Sequence, residues 1–156
     1  MQMVVGIGEM GISNRIEDTI ITFALASCVG VVAYSPSKKI GGIIHIALPK
    51  PPDMKEGINK CCYYASTGIP YFFNTIFNNY GCDSEEIIIS IYGGAKSIKS
   101  TDMFNIGAKN LEEVKKIIEF MNLKIQKVDI GKYVSRTIEL DICNGQIDVA
   151  YQNIII

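Results

Sequence analysis

The sequence predicts an α+β fold. About seven short β-branched runs are spread along the chain, and only two stretches carry helical periodicity. Strands and helices do not alternate as βαβ units. The expected architecture is therefore largely antiparallel or mixed β-sheets packed together, with two main helices covering them. No repeat, linker or shift in composition divides the chain, so residues 1–156 read as a single domain, long enough to bury a core.

Met3 to Gly8 is a short apolar run and reads as an opening strand; a phosphate loop would need a longer glycine fingerprint than Gly6-Ile7-Gly8 and a helix after it. Residues 11–18 read as a loop. Thr19 to Leu25, rich in β-branched and aromatic residues, predicts a strand, as do Val29 to Tyr34 and Ile40 to Leu48. Ser35 to Lys39, with Pro36, is a turn, so the last two runs form a hairpin that Pro49 ends. Lys50 to Asn59 is polar, contains two prolines and a glycine, and reads as a surface loop.

Ile69, Phe72, Phe73, Ile76, Phe77 and Tyr80 recur at the spacing of one helical stripe, with Asn74, Thr75, Asn78 and Asn79 on the opposite face. A cap at Ser66 or Thr67 places Pro70 in the first turn, where its missing N–H is not needed, and Gly81 closes the helix. Glu86 to Tyr92 is a β-branched strand ending at Gly93-Gly94, and Lys96 to Asp102 is a polar loop. Asn105 caps a second helix running to about Met121, with Leu111, Val114, Ile117, Ile118 and Met121 on one face. Glu112 and Glu113 lie near its positive end. Strands then cover Lys124 to Asp129, Val134 to Leu140 and Ile147 to Tyr151, the last two joined by a turn at Asn144-Gly145.

Composition narrows the function. The net charge is −1 with Lys and Arg scattered, whereas a nucleic-acid footprint needs a concentrated basic face. The N-terminus lacks a basic region followed by an apolar stretch, and no apolar run approaches the roughly 20 residues that span a bilayer. The chain is expected to work in the cytoplasm without direct membrane insertion. Its five cysteines (Cys28, Cys61, Cys62, Cys82, Cys143) are an odd number with no C-x-x-C, and there is one histidine. They are expected to be free thiols, and no metal site is expected.

Two residues carry chemistry. Cys28 follows one strand-like run, and His45, the only histidine, lies inside another. Alternation puts Ile44, Ile46 and Leu48 on one face of that strand and Ile43, His45 and Ala47 on the other. Both faces are apolar, so the imidazole is at least partly buried. Thr22 lies on the run leading to Cys28, and its hydroxyl can bond one ring nitrogen while the other faces the sulfur. That is the arrangement of nucleophile, base and orienter, in which a nearby base makes the thiol a nucleophile. A lone histidine in an apolar strand is more often a satisfied core residue, and a buried cysteine more often packing. The residue types alone leave both readings open.

The stretch Thr22 to Val29, followed by His45-Ile46-Ala47-Leu48-Pro49, resembles the chemoreceptor glutamine deamidase family (CheD). That family's signature is a Thr, a Gly-Leu-Gly-Ser-Cys-Val-like turn and His-x-x-Leu-Pro. Matches continue in order through Tyr64-Ala65 with Thr67, Gly93-Gly94-Ala95, Asn105 to Asn110, Asp129-x-Gly131 and Arg136, over nearly the whole chain. Ala24 and Ala26 depart from it, standing where the family has glycines. So do Ser97-Ile98 in a slightly longer loop, Lys109 in place of Arg and Lys132 in place of a second Gly.

The resemblance implies Cys28, His45 and Thr22 as the catalytic set, with Ser27, Gly93 and Gly94 beside the substrate. It implies hydrolysis of glutamine side-chain amides on methyl-accepting chemoreceptors to glutamate, through a thioester and with no cofactor. It also implies a chemotaxis phosphatase partner competing for the same cleft. The alternative is a regulatory module that keeps the fold and works mainly by binding that phosphatase; the alanines at 24 and 26 favour it. A Cys28 thiol that ionises at the ordinary value of ~8.5 would also favour it.

Overall fold

Two sheets bring the predicted strands together in the computed structural model, which describes residues 1–97 and 104–154. In chain order the strands are β1 (Gln2–Val4), β2 (Met10–Ser13), β3 (Thr19–Leu25), β4 (Val29–Ser35), β5 (Ile40–Ile46), β6 (Ile88–Gly93), β7 (Ile125–Ile130), β8 (Val134–Asp141) and β9 (Ile147–Asn153). One sheet runs β1-β3-β8-β9 and the other β2-β5-β4-β6-β7. The pairs β1–β3 and β6–β7 are parallel, and the others are antiparallel. The helices are α1 (Met54–Asn59), α2 (Ala65–Asn78) and α3 (Ile106–Phe120).

The layers follow from the side-chain pattern. Every residue of β4 and β5 is buried, because the five-stranded sheet is covered on both faces. On one face Val29, Val31, Ala33, Ile44 and Ile46 pack against Ile69, Phe72, Phe73 and Ile76 of α2 and Val114 and Ile118 of α3. On the other, Val32, Tyr34, Ile43 and Tyr92 meet Ile20, Leu25, Ile138 and Leu140 of the four-stranded sheet. Each fully buried large apolar side chain contributes about 1.5–3 kcal/mol. This is the α+β arrangement read from the sequence, with mixed sheets and two main helices.

Details differ from the sequence reading. Residues 11–18 are not wholly a loop, since β2 pairs with β5 from Met10 opposite Ile44 to Ser13 opposite Gly41. Gly11 and Ser13 gave no alternation to read; the strand exists because an edge was there to pair with. Lys50 to Asn59 contains α1, capped by the Asp53 carboxylate accepting from Glu56 N at 2.8 Å. Its apolar residues Met54 and Ile58 are exposed, so no stripe announced it. The cap of α2 is Tyr64 and not Ser66 or Thr67, which puts Pro70 beyond the first turn. The Ser66 carbonyl therefore lacks its usual intrahelical donor.

Gly81, at φ 69°, closes α2 with Cys82 N donating to Ile76 O at 3.3 Å, as expected for a helix ending in the left-handed region. Asn105 occupies the N-cap position of α3 at φ 49°. Most of the expected polar loop from Lys96 to Asp102 lies outside the described residues. No described helix is long and apolar enough to cross a membrane.

Candidate active site

The site begins with a defect in a ladder. Thr22 pairs with Ile138 and Leu25 with Arg136, so β3 spends one more residue than β8 between those rungs. Ala24 makes the β-bulge by adopting φ 54°, and its N–H donates to Thr137 Oγ1 at 3.1 Å. Strict alternation would point Thr22 and Leu25 to opposite faces. The extra residue brings both inward, each with no exposed surface, and leaves Phe23 half exposed. Ala24 thus bears the positive φ that a glycine would adopt freely; Ala26 does not.

After the bulge the chain crosses from one sheet to the other through Ala26, Ser27 and Cys28. Gly94 N donates to Cys28 O at 2.8 Å and Ala95 N to Ala26 O at 2.7 Å. Gly93 sits at φ 103°, and a Cβ there would lie 2.2 Å from Cys28 O. No other residue type fits so close to the turn. Gly93 and Gly94 thereby stand behind the Cys28 backbone, while Ser27 borders a cavity of about 290 Å³ together with Ala26, Ala95, Lys96, Ser97, Ile106 and Ile154.

His45 faces the four-stranded sheet. It pairs with Gly30 across β4–β5, so Cys28, two residues before Gly30, is directed to the same face, where it packs against the inter-sheet core. The imidazole is 1% exposed. Its Nδ1 lies 2.6 Å from Thr22 Oγ1, and that hydroxyl donates to Val5 O, also at 2.6 Å. A hydroxyl has one proton and a carbonyl can only accept. Thr22 therefore gives its proton to Val5, and Nδ1–H must donate to Thr22. The tautomer follows: Nε2 carries a bare lone pair, and it is buried with no hydrogen-bond partner among the described residues. The ring also borders a depression of about 230 Å³ with Val4, Val5, Gly6, Ile7 and Phe23.

Burial lowers the His45 pKa to about 4 and pushes the Cys28 thiol above its ordinary value. Both groups are neutral at pH 7. A neutral imidazole with an available lone pair lies on the same sheet face as a thiol that still has its proton, and among the described residues no hydrogen bond joins the two.

An ion pair supports the wall. Arg136, wholly buried, donates from Nε to Asp129 Oδ1 at 3.0 Å and from Nη1 to Gly131 O at 3.1 Å. Gly131 N in turn donates to Gly93 O at 2.9 Å, and Lys96 N to Lys132 O at 2.7 Å. Burial works to raise the Asp129 carboxyl, but hydrogen bonds from Tyr151 and Arg136 outweigh it and hold the group below the usual carboxylate range. Among the described residues no cluster of three or more His, Cys, Asp or Glu is placed to hold a metal.

Of the sequence-predicted residues, Thr22 and His45 are in direct contact and Cys28 shares their face. Ser27 lies at the cavity, and Gly93 and Gly94 lie under the turn. What the sequence could not reveal is the part of Val5, which acts through its main-chain carbonyl and has no side-chain signature.

Comparison with known proteins agrees with the earlier resemblance. The family model described as CheD chemotactic sensory transduction matches residues 47–151, beginning just after His45. A probable chemoreceptor glutamine deamidase CheD of Syntrophotalea carbinolica is 34% identical over 151 residues, 95% of this chain and 93% of that protein. Probable chemoreceptor glutamine deamidase CheD 1 of Syntrophus aciditrophicus is 32% identical over 148 residues, 94% of this chain and 92% of its own length. Among solved structures, the hypothetical protein YfiH of Bacillus licheniformis overlaps 78% of this chain and 49% of its own, with a TM-score of 0.48 at 13% identity. With a matching family model and relatives aligned from end to end, the chain belongs to the CheD family of chemotactic sensory transduction.

Proposed function

We propose that this protein is a cytoplasmic amidohydrolase that converts glutamine side chains of methyl-accepting chemoreceptors to glutamate, with residues 1–156 acting as one unit. Cys28 is the nucleophile, His45 the general base and then acid, and Thr22 the residue that orients the imidazole. The names of the relatives support the substrate. The observation that carries the chemistry is the Val5–Thr22–His45 relay, which leaves Nε2 as a bare base on the face to which Cys28 is directed.

The thiol and imidazole are both neutral before substrate arrives, so the proton moves as the attack occurs. Nε2 takes the Sγ proton while Sγ bonds to the side-chain carbonyl carbon, and the carbonyl becomes an oxyanion. Main-chain N–H groups at Ser27 and Cys28 are its donors. Collapse of the intermediate breaks the C–N bond, and Nε2–H gives its proton to the leaving nitrogen, which departs as ammonia. Nε2 then takes a proton from water as its oxygen attacks the thioester. The thiolate leaves, recovers the proton, and glutamate remains. Proton transfer by a positioned group of this kind contributes roughly 10²–10⁴-fold. Neither a metal nor an organic cofactor enters these steps. The product is a new negative charge on the receptor.

Mass spectrometry of receptor incubated with the purified protein tests the reading. Wild type is expected to raise the receptor mass by the amide-to-acid exchange, and Cys28→Ala to abolish that change while unfolding at the wild-type temperature. Undiminished exchange by Cys28→Ala would remove the nucleophile assignment.

A second reading is a regulatory partner of a chemotaxis phosphatase. It draws on the buried, protonated Cys28 thiol and on Ala24 in a conformation suited to glycine. It predicts phosphatase binding without any receptor mass change.

A further inference from the structure

We propose that Asn110 is a positioning residue for this reaction, its side-chain amide fixing the separation between the turn that carries Cys28 and the strand that carries His45. The inference rests on the functional reading above. Asn110 lies on α3, outside both of those segments, and has no exposed surface. Its Nδ2 donates two hydrogen bonds, to Ser27 O at 2.9 Å and to Ala47 O at 3.0 Å. One carbonyl is next to the nucleophile and the other is two residues from the base.

Main-chain pairing does not set this distance. The β4–β5 register ends with Val29 opposite Ile46. Beyond that rung the two chains bond to different partners. Ala47 N and Leu48 N both donate to Tyr63 O, at 2.9 and 3.2 Å, whereas Ala26 O and Cys28 O accept from Ala95 and Gly94. The ladder opens where the chemistry needs a fixed gap. A primary amide has two N–H donors on one nitrogen, so it can bridge two carbonyls that lack donors of their own. Asn110 supplies a rung from the side.

The approach of α3 fits this role. Gly107 lies one turn before Asn110 on the same helix face, and a Cβ there would stand 2.2 Å from Ala95 O and 2.8 Å from Gly94 O. Bare backbone at that point lets the helix come close enough for a short side chain to reach both segments. The other end of the amide is left over: Oδ1 is buried with no partner among the described residues. A polar group retained for stability would have both ends satisfied, since an unpaired buried acceptor is a cost. Here only the donor end is used, and it is used twice.

The test compares Asn110→Asp, equal in shape but with acceptors only, and Asn110→Ala with wild type as full chains. Three quantities are read: unfolding temperature, kcat and KM for receptor deamidation, and the pH profile of Cys28 alkylation by iodoacetamide, followed on the Cys28 peptide. The expected result is a kcat lower by roughly 10²-fold with KM little changed, the loss that small misplacement produces. The alkylation profile should move to that of His45→Gln, as for a thiol parted from its base. A purely structural Asn110 would lower the unfolding temperature while leaving kcat and the alkylation profile of the folded protein unchanged, and that result overturns the inference. Should Asn110→Asp fail to fold, Asn110→Ala decides. If Cys28→Ala stays active, the functional reading falls and this inference with it. If Cys28→Ala is inactive while both Asn110 variants keep wild-type kcat, only the inference falls.

Discussion

The two faces of the five-stranded sheet come from the same strands and both carry an apolar core, yet only the face toward the second sheet sets a buried imidazole and a buried phenol of its own strands into that core. Toward the helices, Val29, Val31, Ile44 and Ile46 meet Phe72, Phe73 and Ile118, all apolar and all wholly buried. Toward the second sheet the same strands present His45 and Tyr92, opposite Thr22 and Arg136. Two of those four leave a buried polar atom without a partner among the described residues: His45 Nε2 and Arg136 Nη2. An unsatisfied buried group costs about 1–3 kcal/mol, so stability alone would favour apolar side chains at these strand positions on both faces. Both faces bury apolar side chains, and the polar groups of the second face carry a cost that the proposed reaction explains by its need for a base with an available lone pair.

Substitutions on each face should separate these roles. The largest effect is expected from His45→Gln, which removes the base: deamidation should fall by roughly 10²–10⁴-fold, with the unfolding temperature close to that of wild type. A large loss of stability instead would place His45 among the structural residues. Phe72→Ala, on the other face, should cost about 3–5 kcal/mol in urea unfolding, as for other buried aromatics. The kcat of its folded fraction should stay at the wild-type value; a matching loss of kcat would erase the contrast between the faces.

The pH dependence of stability should come from the polar face. His45 has its pKa lowered from 6.5 to about 4 on folding, so below pH 6.5 the unfolded chain binds a proton that the folded one refuses. Its stabilisation is complete above pH 6.5 and is lost as pH falls toward 4, by about 3 kcal/mol in all. Urea titrations across that window should show the decline in wild type and a flatter one in His45→Gln. Equal slopes would contradict the assignment. The smallest effect is local to the bulge: Ala24→Gly should stabilise by about 1 kcal/mol, because φ 54° carries a cost for alanine that glycine does not bear. Destabilisation would mean that the alanine methyl is held by contacts that outweigh the strain.

How much of this was legible in the sequence depends on the kind of signal. The stripe from Ile69 to Phe77 and the alternation through His45 are periodic, and periodicity survives folding; the separation of Ile44 and Ile46 from Ile43 and His45 was read from it. The strand Met10–Ser13 and helix Met54–Asn59 carry no such pattern, since one is made by an available edge and the other by a single cap. The contact of Thr22 with His45 was one arrangement that residue chemistry allowed, whereas the direction of its proton had no signal at all. That direction is set by Val5 O, a main-chain atom brought close only by β1 pairing with β3. Of Ala24 and Ala26, which stand where the family has glycines, only Ala24 takes a positive φ, because the register skips a residue between Thr22 and Leu25, a bulge that no residue pattern announces.

The central claim is that Thr22, itself committed to Val5, keeps the only histidine protonated at Nδ1 and bare at Nε2. A single imidazole per chain makes nitrogen-15 NMR of the ring unambiguous. At neutral pH the account predicts one neutral tautomer, with the proton on Nδ1 and Nε2 unprotonated, and loss of that preference in Thr22→Val. A proton found on Nε2, or an imidazolium at pH 7, would contradict it.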